Sequence, residues 1–275
     1  MKSLELQRIG FWPVIMVTLC AFGLNAAGEP VPAHHSKGTI HGFLELRSEE
    51  GVVLASGDLI QVAHGGQITT ETVFHFKDGS VDDETTVFSL RRNFQLLTDH
   101  HVQKGPSFPH PMDVLIDCRS GQVTVRTVGK DGKEELKTEH VDLPPDLANG
   151  IVPDILENTS PDGPGTTVSM LVLTPKPRVV KLVISSRGKE AFNVAGSPHQ
   201  AIHYQIKIEL GSVPGVVAPL IGKQPPDIEA WVTDGRAPTL IREQGPIYPE
   251  GPLMTIELAS AVWPEFDKPA AKSGD

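Results

Sequence analysis

One short stretch, QAIHYQIKIEL (residues 200–210), constrains the fold of this chain more than any other. Its apolar side chains alternate with polar ones, with Ile202, Tyr204, Ile206 and Ile208 on one parity. Successive side chains of a β-strand point to opposite faces of a sheet, so this spacing predicts a strand with one buried face. The same two-residue period recurs in three further stretches: ETVFHF (71–76), QVTVRTV (122–128) and MTIEL (254–258).

Turn-forming residues separate these stretches along the whole chain. The 275 residues include 26 glycines and 24 prolines, spread between the alternating runs and not clustered. This pattern predicts about 11–12 short strands joined by hairpin turns, which means an all-β, mainly antiparallel fold. A sheet with so many strands must curl, so we expect a strongly curved sheet or half-barrel. Residues 142–160 break the pattern and predict two short helical pieces, divided near Gly150 and Pro153.

The N-terminus has the layout of a secretory signal. Lys2 and Arg8 precede an apolar run over residues 9–24, and small residues follow at 25–28. We therefore predict a signal peptide over residues 1–27, cleavage near Ala27, and an exported protein that is periplasmic or extracellular. The remaining predicted parts are a flexible leader (28–38), one folded domain (39–266) and a disordered tail (267–275).

Charge and cysteine content restrict the partners and the covalent structure. The formal net charge of −10 at pH 7 repels phosphate backbones, so no nucleic-acid partner is expected. Cys118 is the one cysteine left after cleavage at residue 27, so no intrachain disulfide is expected. No segment beyond the signal is long and apolar enough to predict a transmembrane span.

The stretch Asp99-His100-His101 groups residue types that are common in catalytic and metal sites, and it is the strongest such candidate in the sequence. In a regular strand, His100 shares a face with Phe94 and Leu96, while Asp99 and His101 share the other face. The expectation is that His100 lies on an apolar core or cavity wall. Asp99 and His101 together are too few ligands for a zinc site, although His75 or His110 from a neighbouring strand would complete one.

Few other residues point to chemistry. There is no nucleophile elbow, no glycine-rich phosphate loop and no carboxylate pair that stands out, so neither catalytic residues nor a cofactor are predicted. The apolar segment 211–227 is either a plug that closes one end of the curled sheet or a lid over an apolar cavity. The residues predicted to contact a ligand are His100, Leu210, Val217, Leu220 and Ile221.

A tryptophan strand is predicted at Trp231–Thr233, followed by a proline-led strand at 238–241. With this hairpin, the order of elements resembles that of uncharacterised bacterial envelope proteins whose curved sheet is like that of the outer-membrane lipoprotein carriers. This resemblance implies an apolar concave face suited to lipid or lipoprotein acyl chains. The leading hypothesis is thus a non-enzymatic envelope protein that binds an apolar or amphipathic ligand. The alternatives are a metal-dependent hydrolase that uses Asp99 and His101, and a structural module that pairs with another envelope protein.

Overall fold

The chain folds into one large antiparallel sheet with a single short helix among the residues described. The structure, a computed structural model, describes residues 31–34, 38–128, 133–172, 177–194, 197–210 and 225–259. The predicted signal and tail, and most of the segment 211–227, lie outside these residues. The strands are β1 Ile40–Ser48, β2 Val53–His64, β3 Gln67–Phe76, β4 Val81–Leu90, β5 Phe94–Lys104, β6 Met112–Asp117, β7 Gln122–Val128, β8 Glu134–His140, β9 Thr166–Val172, β10 Arg178–Val194, β11 Ser197–Glu209, β12 Ile228–Thr233, β13 Leu240–Gly245 and β14 Met254–Leu258.

The predicted fold class is confirmed, with more strands than expected. Fourteen strands form one sheet in the order β8-β7-β6-β5-β4-β3-β2-β1-β14-β13-β12-β11-β10-β9. The chain runs outward from β1 to β8, crosses over, and returns from β9 to β14, which pairs with β1. The sheet is not closed, because β8 and β9 are its two edges. Sequence reasoning undercounted partly because β8 (EELKTEH) has no apolar face and is almost entirely exposed.

The alternation of apolar residues decides which face of the sheet is buried. In β11, Ile202, Tyr204, Ile206 and Ile208 are all buried, as the two-residue period predicts. Their face, here called the inner face, also carries Phe88 and Leu96 from the other half of the sheet, and all six belong to one apolar cluster. Cross-strand partners share a face, so the strand register assigns every other inner-face residue.

Residues 146–158 cover the inner face and one edge of the sheet. The helix α1 spans Val152–Asn158, and Ile151 and Ile155 are 1% exposed within the apolar cluster. Pro153 lies in the first turn of α1, where proline is well tolerated, so it starts the helix and does not split it. At the β9 edge, Ala148 N donates to Ser169 O over 2.8 Å, which satisfies edge groups that would otherwise stay open.

The sheet curls until distant strands touch. Gln103 Nε2 on β5 donates to the carbonyl oxygen of Ile247, after β13, over 2.9 Å. Phe108 and Tyr248 meet edge to face, with ring centroids 5.8 Å apart. These contacts belong to a second, smaller apolar cluster at the other end of the interior, whose buried members are Leu46, Ala55, Phe74, Phe76, Phe108 and Met254.

Part of the predicted leader lies against the sheet. Val31 is 6% exposed and belongs to the larger apolar cluster, and Phe94 N donates to its carbonyl oxygen over 3.0 Å. Pro32 forms an isolated bridge with Asn93. These two residues of the predicted leader therefore contact the sheet. No helix in the described ranges has both the length and the apolar character needed to cross a bilayer.

Candidate functional site

A β-bulge in β5 reverses the expected roles of the adjacent histidines. Phe88 on β4 is opposite Leu96, and the next residue back, Val87, is opposite Thr98, so Leu97 is an extra residue in the ladder. An extra residue shifts the side-chain parity of everything that follows it. Asp99, His101 and Gln103 therefore share the inner face with Phe94 and Leu96, which a regular strand would not allow.

His100 consequently does not line a core or cavity wall. Its side chain is 49% exposed on the outer face, and its Nε2 lies 3.0 Å from Asp113 Oδ1. This is a correction of the expectation from strand parity, and the bulge at Leu97 is its physical reason. Two other histidines considered as metal ligands, His75 and His110, are also exposed and stay away from Asp99 and His101.

Instead, a layer of polar side chains crosses the inner face between the two apolar clusters. Within it, Asp82 is opposite Gln103, Glu84 is opposite His101, and Thr86 is opposite Asp99 on the neighbouring strands β4 and β5. Asp82, Thr86, Asp99 and Gln103 are all buried. We call this set the polar layer, together with three further inner-face residues, Gln61, Thr70 and Glu243.

His101 forms a charged pair at the centre of the polar layer. Its Nε2 is 2.6 Å from Asp82 Oδ1, and its Nδ1 is 3.8 Å from Glu84 Oε1. Burial lowers the pKa of His101, but the charge of Glu84 and the hydrogen bond to Asp82 outweigh it and raise the pKa to about 9. The ring is therefore an imidazolium at neutral pH, and its Nε2 donates to Asp82. Gln103 Nε2 donates to the other oxygen of Asp82 over 3.1 Å.

Three other carboxyl groups of the layer hold their protons unusually well. Burial, assisted by the charge of Glu84, raises the pKa of Asp99 to about 7. Burial also raises the pKa of Glu243 to about 7. It raises the pKa of Glu84 as well, and the charge of Glu243 adds to that rise. Glu84 nevertheless keeps 30% of its side chain accessible. Burial thus disfavours the charged form of all three carboxyl groups.

Three polar atoms of the layer are buried without a hydrogen-bond partner in the described part of the chain. They are Gln61 Nε2, Thr70 Oγ1 and Asp99 Oδ2. The strand register puts these residues in one row across four strands, Gln61–Thr70–Thr86–Asp99. Thr86 Oγ1 donates to Asp99 Oδ1 over 2.9 Å, so one carboxyl oxygen of Asp99 is satisfied and the other is not. Buried polar groups normally find partners, so an unpartnered row is a candidate ligand contact.

Gly150 closes one side of this row with bare backbone. It has φ +66°, and a Cβ at this position would lie 2.0 Å from Thr86 Oγ1 and 2.9 Å from Asp99 Oδ1. Only glycine fits so close an approach in that backbone conformation. The segment that leads into α1 therefore rests directly on the polar layer.

Apolar side chains continue the inner face beside the polar layer. Leu44, Leu59 and Leu258 are only partly buried. A Cβ added to Gly42 would lie 3.7 Å from Leu258 and 3.8 Å from Leu59, and Leu44 is the strand partner of Leu258. Leu59 is opposite Thr72, which is opposite Glu84. An apolar surface thus adjoins the accessible carboxyl group of Glu84 within two strands.

The other residues predicted to contact a ligand are only partly placed. Leu210 packs, partly buried, against the larger apolar cluster. Val217, Leu220 and Ile221 lie outside the described residues. Most of the segment 211–227, the predicted plug or lid, lies outside them too. Within the described ranges, no group of three or more His, Cys, Asp or Glu side chains has the arrangement of a metal site.

Sequence reasoning missed most of the polar layer, although a signal for β4 was present. In VDDETTVFSL, Asp82, Glu84 and Thr86 have the same parity as Phe88. The period of two therefore places all four on one face, and Phe88 identifies that face as the buried one. Nothing in the sequence near Glu243 links it to β4, because that proximity depends on the curvature of the whole sheet.

Comparisons with known proteins add a likeness of architecture. No family model matches the chain, and no curated protein matches it. Its structure is similar to the crystal structure of a beta-barrel-like protein of the domain of unknown function DUF1849 from Brucella abortus. The two chains are 11% identical, with a TM-score of 0.44, over 81% of this chain and 96% of that chain. This likeness assigns no role to any residue.

Proposed function

We propose that this protein binds a small amphipathic ligand inside its curved sheet. The observation that carries the proposal is the pairing of two surfaces on the inner face. Gln61, Thr70 and Asp99 offer buried polar atoms that have no partner among the described residues, and the half-buried leucines 44, 59 and 258 lie beside them. Leaving a buried polar group unpaired costs about 1–3 kcal/mol, so a ligand that supplies partners gains affinity there.

Apolar contact with Leu44, Leu59 and Leu258 is the second source of binding energy in this proposal. A ligand chain laid over them removes apolar surface from water, at roughly 25 cal/mol for each Å². The polar layer would then orient the ligand. In small-molecule sites, a few polar groups usually fix the orientation of a ligand that is held mainly by apolar contacts. We further propose that binding takes place after export, since residues 1–27 have the layout of a secretory signal.

The test is a titration of the chain from residue 28 onward with the neutral fluorescent probe N-phenyl-1-naphthylamine. We expect saturable, one-to-one binding. Leu59→Asn should weaken it about tenfold, because an amide replaces apolar contact area worth roughly 1–2 kcal/mol. The matched control is Ile60→Asn, since Ile60 is the next residue, is 40% exposed and faces outward. It should change the affinity by less than about twofold.

Two results would contradict the proposal. One is the absence of saturable binding to a chain that unfolds cooperatively. The other is an equal loss of affinity in the two variants, which would place the probe on the outer face or make its binding non-specific.

A further inference from the structure

Two carboxyl groups from opposite halves of the sheet lie on its inner face and are close enough for their charges to interact. Glu84 lies on β4 and Glu243 on β13, and both are on the inner face, opposite His101 and Ile256 respectively. The sheet curls enough for β5 to contact Ile247, only four residues after Glu243. The charge of Glu243 reaches Glu84, where it favours the protonated carboxyl.

Neither carboxyl group is fully satisfied within the protein. In the described part of the chain, Glu243 has no side-chain hydrogen bond or ion pair, and Glu84 has one ion pair, at 3.8 Å from His101. His101 is itself committed to Asp82 at 2.6 Å. The pair His101–Asp82 is close to neutral as a unit, which leaves Glu84, Asp99 and Glu243 as surplus acidic groups.

Independent of this acidic pair, buried acceptor atoms point into the same layer. Within the described ranges, Asp99 Oδ2 has no hydrogen-bond partner in a side chain that is 1% exposed, and Thr70 Oγ1 has none in one that is 8% exposed. Both can accept hydrogen bonds, as the two glutamates can. Gln61 Nε2, the remaining atom of the layer without a partner in the residues described, is a donor, but the acceptors outnumber it, so the site favours a ligand group with several donors and a positive charge.

We propose that the ligand is an amphipathic amine whose ammonium group lies between Glu84 and Glu243 and whose apolar chain lies over Leu44, Leu59 and Leu258. This inference rests on the proposed function, and it names the chemistry of the head group. An ammonium carries three donors and no acceptor, which matches a set of carboxylate and hydroxyl oxygens. A carboxylate head group would be repelled, and a hydroxyl would supply one donor without charge.

Among the described residues, the direct strand partners of Glu243 carry no cation. Its partners on the neighbouring strands, Ala230 on β12 and Ile256 on β14, are uncharged. From α1, Glu157 lies close to the start of β13, where it accepts a hydrogen bond from Leu240 N over 2.9 Å. The other titratable groups of the polar layer are Asp82 and Glu84 from β4, and Asp99 and His101 from β5.

Binding of an ammonium should release protons near neutral pH. In the free protein, Glu243 and Asp99 have pKa values of about 7, so both are partly protonated there. A positive head group favours the ionised carboxylates, so they lose protons as the amine binds. Below pH 7 the affinity should then rise about tenfold per pH unit for each proton released.

The experiment is displacement of N-phenyl-1-naphthylamine by decylamine, decanol and decanoate, below their micellar concentrations, at pH 5.5 and 7.5. At pH 7.5 we expect decylamine to displace the probe at an at least tenfold lower concentration than decanol, and decanoate to be the weakest. That preference should shrink about tenfold or more at pH 5.5. Calorimetry of decylamine binding in two buffers of different ionisation enthalpy should show proton release.

Variants separate a specific site from general attraction of amines to an acidic protein. Glu243→Gln should abolish the preference for decylamine over decanol, with each displacement referred to that variant's own affinity for the neutral probe. The matched control is Glu71→Gln, which removes an exposed carboxylate of β3, in register with outward-facing Ile60. It should leave the preference unchanged.

The possible failures are distinguishable. If the probe binds but decylamine has no advantage, or if Glu71→Gln and Glu243→Gln act alike, the head-group inference is overturned and the proposed function stands. If neither the probe nor decylamine binds the wild-type chain, both fall.

Discussion

The close approach of Gly150 to the polar layer gives the sharpest stability prediction. Replacing Gly150 with alanine adds a Cβ 2.0 Å from Thr86 Oγ1, far inside any real contact distance. The residue also has φ +66°, a left-handed conformation that costs an L-residue about 1–2 kcal/mol. Overpacking a buried site adds about 1–3 kcal/mol. Together these effects predict a loss of about 2–5 kcal/mol in the free energy of unfolding.

A second glycine isolates the two contributions. Gly51 has φ +82°, but a Cβ there would meet no atom within 4 Å. Gly51→Ala should therefore lose only the conformational part, about 1–2 kcal/mol. The difference between the two variants measures the clash with Thr86 and Asp99.

The assay is equilibrium unfolding in urea at pH 7, followed by tryptophan fluorescence and far-UV circular dichroism. Thr86→Ala removes the clashing oxygen, so it should recover part of the loss in the double variant with Gly150→Ala. If Gly150→Ala is no more destabilising than Gly51→Ala, the segment before α1 does not rest on the polar layer, and the reasoning is refuted.

Two further predictions concern the charges of the polar layer. The pKa of Glu243 is about 7 in the folded chain and about 4.3 when unfolded, so its stabilising contribution is complete below about pH 4 and is lost as the pH rises through 7. Glu243→Gln imitates the protonated form, so its stability advantage over wild type should grow from about 0.5 kcal/mol at pH 4.5 to at most about 4 kcal/mol at pH 8. Urea unfolding at both pH values checks this, and a constant difference would contradict it. Replacing His101 with leucine breaks a buried ion pair and should cost about 3 kcal/mol at pH 6.5, whereas His100→Leu, on the exposed face, should change stability by less than about 0.5 kcal/mol. Thermal unfolding of the two variants measures these changes. Similar losses of stability in both would mean that the bulge does not set the side-chain parity of β5.

The strand pattern was predictable because burial of one face imposes a period of two. Ile202, Tyr204 and Ile206 on β11 show this directly, since each is buried as its parity requires. Each hairpin turn also restricts its own strands, so the antiparallel order follows from local information. The curvature of the sheet follows from strand number alone.

The candidate site was not predictable in the same way, because it depends on one irregular residue. Leu97 follows Leu96 and looks like any apolar strand residue, yet it is the extra residue that moves Asp99 and His101 inside. A bulge is settled by how two strands fit together, which a single strand's pattern does not contain. The proximity of Glu84 to Glu243 is a still more global property, since the two strands are separated by four others in the sheet.

The path of the chain through the sheet has a mechanical consequence. The described chain consists of two meanders, β1–β8 and β9–β14, and the sheet joins them through the single pair β1–β14, with a register of only five residue pairs. Among the described strands β1 is the first and β14 the last, so their pairing, the seam between the meanders, closes the longest loop between paired strands, and we expect it to form late in folding. Glu84 belongs to one meander and Glu243 to the other. A molecule bound by both glutamates would therefore hold the two meanders together, and its binding free energy would add to the stability of the β1–β14 pairing.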